Sequence, residues 1–177
     1  MARLAYVDVS TQDSDLSDLV ERIAAARGGR IINQYRMLLH SPPIAAAWLQ
    51  FANAVRFQAT LDEANSELAI CCVSWFAGAA YPFRAHSRLA LRYGLTQDQL
   101  DAIPNWRDSP LFTRPQRAIL SYATALALGT PVDAEAFTDL RDAFDERAIV
   151  ELTVVAAFYL MVARFLVGLE IEPETEP

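Results

Sequence analysis

Cysteine, histidine and glycine are scarce in this 177-residue chain, with two, two and six copies. The cysteines, Cys71 and Cys72, are neighbours. Successive helical residues point about 100° apart, so the pair offers no disulfide framework and suits a reducing compartment. Long apolar runs are also missing. The longest, residues 152–163, is bracketed by Glu151 and Arg164 and falls short of the roughly 20 residues a bilayer span needs, which predicts a buried helix and no membrane partner. Excess positive charge is absent too: the formal net charge is -7 and the pI about 4.8. That removes the electrostatic footprint expected of a nucleic-acid or anionic-membrane binder. Residues 1–8 hold one basic side chain, an early acid and no apolar core of a signal peptide, so the expected compartment is the cytoplasm.

What remains is apolar. Hydrophobic residues make up 53% of the chain, and its length predicts one domain, residues 1–177, with a full core. Helical periodicity dominates, strand signals are nearly absent, and the expected fold class is all-α. The first helix is predicted over 14–27, stopped by Gly28-Gly29, and a short one over 31–40, ended by Ser41-Pro42-Pro43. A third runs from 43 to about 60, and a fourth opens at Asp62 or Asn65 and ends near Gly78. Pro82 fits the first turn of a fifth helix that stops at Gly94. A capped segment over 96–102 precedes residues 103–112, whose two prolines and lack of periodicity predict a long loop usable as a rim or lid. Thr113 with Gln116 forms a capping box for a helix ending at Gly129. An acidic amphipathic helix is expected over 133–144, then a long one over 146–167. That last helix is apolar on nearly every side, which predicts burial in its own core or against a second subunit. Residues 1–13 and the acidic, proline-bearing 170–177 are expected to be flexible ends, or laid over a neighbour.

The chemistry-bearing residues gather on the fourth and fifth helices. Steps of four, three and four put Glu67, Cys71, Ser74 and Gly78 on one helical face, a polar seam in an apolar segment. His86 follows one turn inside the next helix, where the positive end of the helix dipole favours the neutral imidazole, a usable base. The same helix start suits a substrate carboxylate or a developing enolate. Each residue also has a plainer reading: His86 as a satisfied core histidine, Glu67 as an exposed first-turn glutamate, Cys71 and Cys72 as small apolar core residues. Trp75, Tyr81 and Phe83 serve aromatic packing or a pocket wall. Spacing leaves open whether Glu67 touches His86.

The segment Ala79-Ala80-Tyr81-Pro82-Phe83-Arg84-Ala85-His86, preceded by Glu67 and followed by Leu89 and Gly94-Leu95-Thr96, resembles the signature of the carboxymuconolactone decarboxylase and AhpD-like alkylhydroperoxidase superfamily. Leu38-Leu39-His40-Ser41-Pro42 with the Trp48 helix is similar to that family's entry segment. Tyr159-Leu160-Met161-Val162-Ala163-Arg164-Phe165-Leu166 is similar to its closing helix, so the resemblance covers about residues 30–172. It implies an all-helical fold assembled as a homodimer, trimer or hexamer, with no metal or organic cofactor. In the peroxidase branch a Cys-x-x-Cys pair works with a histidine four residues later, an upstream glutamate and a second histidine between the cysteines. Here the glutamate corresponds to Glu67 and the final histidine to His86, but the cysteine positions hold Ala79 and Pro82 and the intervening histidine is Tyr81. Alanine and proline form no thiolate, which excludes dithiol chemistry at the motif.

The decarboxylase branch implies His86 as the proton carrier, Glu67 as its tuning partner, and the helix start near Tyr81 to Phe83 as the stabiliser of a dienolate. The substrate is then a small carboxylated lactone or related organic acid, and isomerisation or elimination on such an acid is a neighbouring chemistry. Cys71, Trp75, Tyr81 and Phe83 are candidate pocket residues, with Arg84, Arg88 and a buried Arg164 as candidate anion-binding groups. Two other classes stand beside this one: a non-catalytic binding or assembly protein, and an alkylhydroperoxidase using Cys71, which requires a lowered thiol pKa.

Overall fold

The local signals act close to where the sequence puts them. In the computed structural model, which describes residues 1–10 and 14–174, those residues form α-helices, one 3-10 turn and no strand. The all-α expectation is met. The expectation of flexible ends falls in part on residues 11–13 and 175–177, which lie outside the described residues.

The chain divides into two units, residues 1–59 with 168–177 and residues 60–167. In the first, α1 (Ser14–Ala26) stops where Gly28 and Gly29 take the left-handed backbone, with φ of 67° and 83°, a conformation glycine adopts without steric cost. Helix α2 (Asn33–Leu38) is shorter than the predicted 31–40, because Ile32 and Leu39 are its caps. Helix α3 (Pro42–Phe57) begins on the first of the two prolines, with Ser41 as N-cap. Tyr35, wholly buried, receives a 2.8 Å hydrogen bond from the Arg27 guanidinium, which also reaches Asn53. The two ends of the chain meet within this unit. The Arg3 amide donates to the Leu169 carbonyl, its side chain pairs with Glu170 at 2.9 Å, and the Glu172 amide donates to the Tyr6 hydroxyl. His40 is tied by Nε2 to the Ala5 carbonyl at 2.8 Å.

In the second unit, α4 (Glu63–Phe76) is the central element, buried without interruption from Glu67 to Ser74. Of the two predicted starts, Asp62 is the one used: its carboxylate accepts the Asn65 amide hydrogen. Helix α5 (Ala80–Arg92) and α7 (Arg114–Leu128) pack against α4. A short α6 (Gln97–Ala102), the 3-10 turn Ile103–Asn105 and α8 (Ala134–Ala143) connect and flank them. Reciprocal capping boxes open α6, through Thr96 and Gln99, and α7, through Thr113 and Gln116.

The segment 103–112 is not a lid. Ile103, Trp106 and Phe112 are buried, the Trp106 indole donates to the Thr124 hydroxyl at 3.2 Å, and the Arg117 guanidinium donates to the carbonyls of Trp106, Arg107 and Ser109. The prolines shape a stretch that serves as core on the α7 side of α4.

Helix α9 (Glu146–Gly168) is longer than the apolar run suggested, and by length and composition alone it could cross a bilayer. Its inner side is core: Leu152, Val155, Ala156, Tyr159, Val162 and Ala163 are buried. Glu151 is a paired charge, as expected for a carboxylate in this setting. One oxygen accepts from the Thr60 amide and hydroxyl and the Leu61 amide, and the other accepts from Arg147. Burial works against its charged form, but these donors outweigh it and hold the carboxyl below its ordinary 4.5. A group with a depressed folded-state pKa stabilises above its unfolded value and loses that contribution as pH falls through the folded one. Glu151→Ala therefore costs about 1.5–3 kcal/mol at neutral pH, the range for charge-assisted hydrogen bonds. In urea titrations the difference from wild type shrinks as pH drops below about 4.5.

Candidate active site

Helices α4 and α5 form an antiparallel hairpin bent at Gly78, whose φ of 70° lets the chain turn directly from one helix into the next. The last turn of α4 and the cap of α5 are fused by the Ala79 amide donating to the Ser74 carbonyl at 2.9 Å. Along the hairpin the helical face carrying residues 67, 71 and 75 meets the face carrying 83, 86 and 87. Near the bend Trp75 packs edge-to-face on Phe83, with centroids 5.4 Å apart. One turn deeper, Cys71 Sγ lies 4.0 Å from Ser87 Oγ. One further turn along α4, His86 Nδ1 meets Glu67 Oε2 at 2.6 Å. The seam runs from a Trp75 that is 45% exposed to a Glu67 and a His86 that are 5% and 8% exposed.

The contact that spacing left open is thus made. Cys71–Ser87 and Trp75–Phe83 sit symmetrically about the bend, whereas the longer Glu67 and His86 side chains cross the seam obliquely and need not be equidistant from it. Glu67 is in the second turn of α4 and buried, so the exposed first-turn reading does not apply. With its carboxylate as acceptor, Nδ1 is the donor, and in the neutral ring Nε2 carries the lone pair.

A third helix completes the site. Tyr159 of α9, itself buried, stands edge-to-face against the His86 ring, with centroids at 4.6 Å and an interplanar angle of 79°. Nothing near His86 in the sequence points to Tyr159; only the packing of α9 brings it in.

The other predicted residues divide. Ala79 and Pro82, at the positions of the thiols in the peroxidase pattern, are buried, and Ala79 packs with Ala77, Ala163 and Leu160 as an apolar lining. Tyr81 and Phe83 are half-buried at the start of α5. Arg84, Arg88 and Arg164 are exposed, so the buried arginine expected at position 164 is absent. Two and five helical positions respectively separate Arg84 from His86 and Arg164 from Tyr159, which turns those arginines away from the seam. Ser74 was noted only as part of the polar face. Its hydroxyl is wholly buried and has no hydrogen-bond partner among the described residues. No group of three or more metal-ligating side chains occurs among the described residues.

The thiols oppose a redox role. Burial pushes Cys71 up to about 12, and the Glu67 carboxylate adds to the rise. Burial likewise pushes Cys72 up to about 12 on the opposite side of α4, where its thiol meets the Leu120 carbonyl and Thr124 hydroxyl. A reactive cysteine needs the reverse shift and access to solvent. Native protein at pH 7.4 is expected to leave both thiols unmodified by iodoacetamide over an hour and to label fully in denaturant. Mass spectrometry reads the difference, and rapid native labelling of Cys71 defeats the expectation.

The chain is similar to several known proteins. Residues 42–125 match the model of the carboxymuconolactone decarboxylase family. Over 85 residues the chain is 38% identical to the uncharacterized protein YnjA of Escherichia coli (strain K12), a match covering 48% of this chain and 46% of that protein, so it spans about half of the curated relative. An Agrobacterium tumefaciens protein of unknown function, named in connection with the antioxidant defence protein AhpD, superposes with a TM-score of 0.72 at 26% identity. That superposition covers 77% of this chain and 94% of the other. The fold is also that of the debrominase Bmp8 in complex with 2,3,4-tribromopyrrole, with a TM-score of 0.78 at 19% identity over 99% of this chain and 95% of that one.

Proposed function

We propose that this chain, whose residues 42–125 match the carboxymuconolactone decarboxylase family, is a proton-transfer enzyme that decarboxylates or isomerises a small carboxylated lactone or similar organic acid. The observation that carries this is the buried His86–Glu67 pair, 2.6 Å from Nδ1 to Oε2. A carboxylate on Nδ1 orients the ring and stabilises the imidazolium that forms when Nε2 takes a proton. In an isomerisation, Nε2 removes a proton from a carbon beside the substrate carbonyl, the electron pair moves onto the carbonyl oxygen, and the same proton returns at another carbon. In a decarboxylation, Nε2 first takes a proton from solvent; the carbon–carboxylate bond then breaks, its electrons pass into the conjugated carbonyl as a dienolate, carbon dioxide leaves, and Nε2–H gives that proton to the carbon. Ser74, unpartnered beside the start of α5, is the hydroxyl offered to the enolate oxygen.

The sequence contains no lysine; all fifteen of its basic residues are arginine. Iminium formation on a lysine, the common route for β-keto acids, is therefore closed to this chain. The half-exposed Trp75 and Phe83 supply an apolar lip for the body of the substrate. The three exposed arginines leave its carboxylate at the rim or in solvent.

Self-association belongs to the same proposal. Val150, Ala157, Met161 and Val167 form an exposed, mainly apolar stripe along α9, interrupted by Arg164, the kind of surface a second copy covers. Sedimentation velocity is expected to show an oligomer that Met161→Glu dissociates; a wild-type monomer removes this element.

The function is tested by proton NMR in D₂O with carboxylated lactones and β-keto acids, following deuterium incorporation and loss of the carboxyl group. Exchange or decarboxylation of at least one compound by the wild type is expected. Silence across the panel refutes the proposal and favours a non-catalytic role.

A further inference from the structure

Resting on that reading, we propose that Tyr159 is the positioning residue of the site, fixing the plane of the His86 ring so that Nε2 is presented in one direction. The Glu67 bond locates one ring atom, Nδ1, at 2.6 Å from Oε2. The ring still turns about its own Cβ–Cγ bond, a turn that sweeps Nε2 through an arc and carries Nδ1 away from Oε2. The Tyr159 ring, at 4.6 Å and 79°, blocks this motion, because rotation of either ring out of the edge-to-face arrangement drives it into the other. Tyr159 is braced in turn by Phe158, whose ring meets it at 5.3 Å and 88°.

The other groups around His86 cannot do this. Glu67 acts on the ring only through Nδ1. Cys71 faces Ser87, one position along. Ala79 and Pro82 present small or rigid apolar surface without an aromatic face. Glu67 on α4 sets where the imidazole is, and Tyr159 on α9 sets how it is turned. A base must be within hydrogen-bond reach of the proton it takes and aligned with it, and small misplacements cost rate steeply.

It is the ring of Tyr159 that meets His86, which separates two variants. Tyr159→Phe keeps the ring; Tyr159→Leu removes it. The chain has only two histidines, His40 and His86, so a long-range proton–nitrogen spectrum of nitrogen-15-labelled protein shows two imidazoles, with His40 as the internal control. Wild type and Tyr159→Phe are expected to show His86 as a single tautomer with a slowly exchanging Nδ1 proton. Tyr159→Leu is expected to show averaged nitrogen shifts and loss of that proton, with His40 unmoved. In the D₂O assay Tyr159→Leu lowers kcat by about 10²-fold with KM unchanged, a larger loss than that of Tyr159→Phe.

Should Tyr159→Leu fail to fold, Tyr159→Met, closer in volume and flexible, is read the same way. A sharp single tautomer in the folded Leu or Met variant overturns the proposal, as does a Phe variant disturbed as much as Leu. The nitrogen spectrum needs no substrate, so it decides this inference even where the turnover panel is silent.

Discussion

His86→Gln lowers deuterium exchange and carboxyl loss by about 10²–10⁴-fold, the contribution typical of a positioned general acid–base. Glutamine keeps a side chain that bonds Glu67 but has no atom that takes up and releases a proton near neutral pH. The substitution thus separates chemistry from architecture. The variant is expected to melt within a few degrees of wild type and to keep its affinity for the compound the wild type turns over, losing kcat rather than KM. Equal turnover by wild type and variant places the reaction elsewhere and removes His86 from it. A fall in activity that follows the fall in melting temperature shows His86 to be a satisfied core histidine.

The second large effect concerns stability. Trp106→Ala costs about 3–5 kcal/mol, the range for deleting a buried aromatic side chain, and lowers the melting temperature by roughly 10 °C. The indole is 5% exposed, its N–H is spent on Thr124, and the Arg107 and Arg117 guanidinium groups lie 4.4 Å and 5.6 Å from its ring centre. Removing it opens a cavity between segment 103–112 and α7 and leaves Arg117 gripping carbonyls of a segment that has lost its anchor. Because Trp106 and His86 lie on different sides of α4, activity per folded molecule stays unchanged at 20 °C. A rate per folded molecule that falls with stability assigns the segment to the site after all.

What the sequence disclosed is what acts over a few residues. Asp62, the Thr96–Gln99 and Thr113–Gln116 boxes, Pro82 and the stopping glycines each satisfy or deny particular backbone groups. The helix boundaries they imply fall within a few residues of those observed. The face shared by Glu67, Cys71 and Ser74 follows from helical geometry alone. The pairing of Glu67 with His86 does not, because it depends on how far two long side chains lean across a seam. Tyr159 was out of reach for a stronger reason: it joins His86 through the packing of a helix 73 positions away. Segment 103–112 misled because its prolines mark irregular backbone, while Trp106 and Phe112 decide that this backbone is core. Arg164 misled in the opposite way. Apolar neighbours on both sides suggested burial, yet α9 shows solvent one stripe, and position 164 lies on it.

A site that stores two electrons in a pair of thiols finishes each turnover oxidised and must be reset by a donor. With Ala79 and Pro82 in those places, the cycle proposed for His86 would end when the borrowed proton is given up, leaving the protein ready for the next molecule. Such a cycle would draw on no reductase or thiol pool. An oxidant pulse that would overoxidise exposed catalytic cysteines finds none here, since Cys71 and Cys72 are sealed in α4 as neutral thiols. On the proposed reading, such a site works alike in oxidising and reducing surroundings.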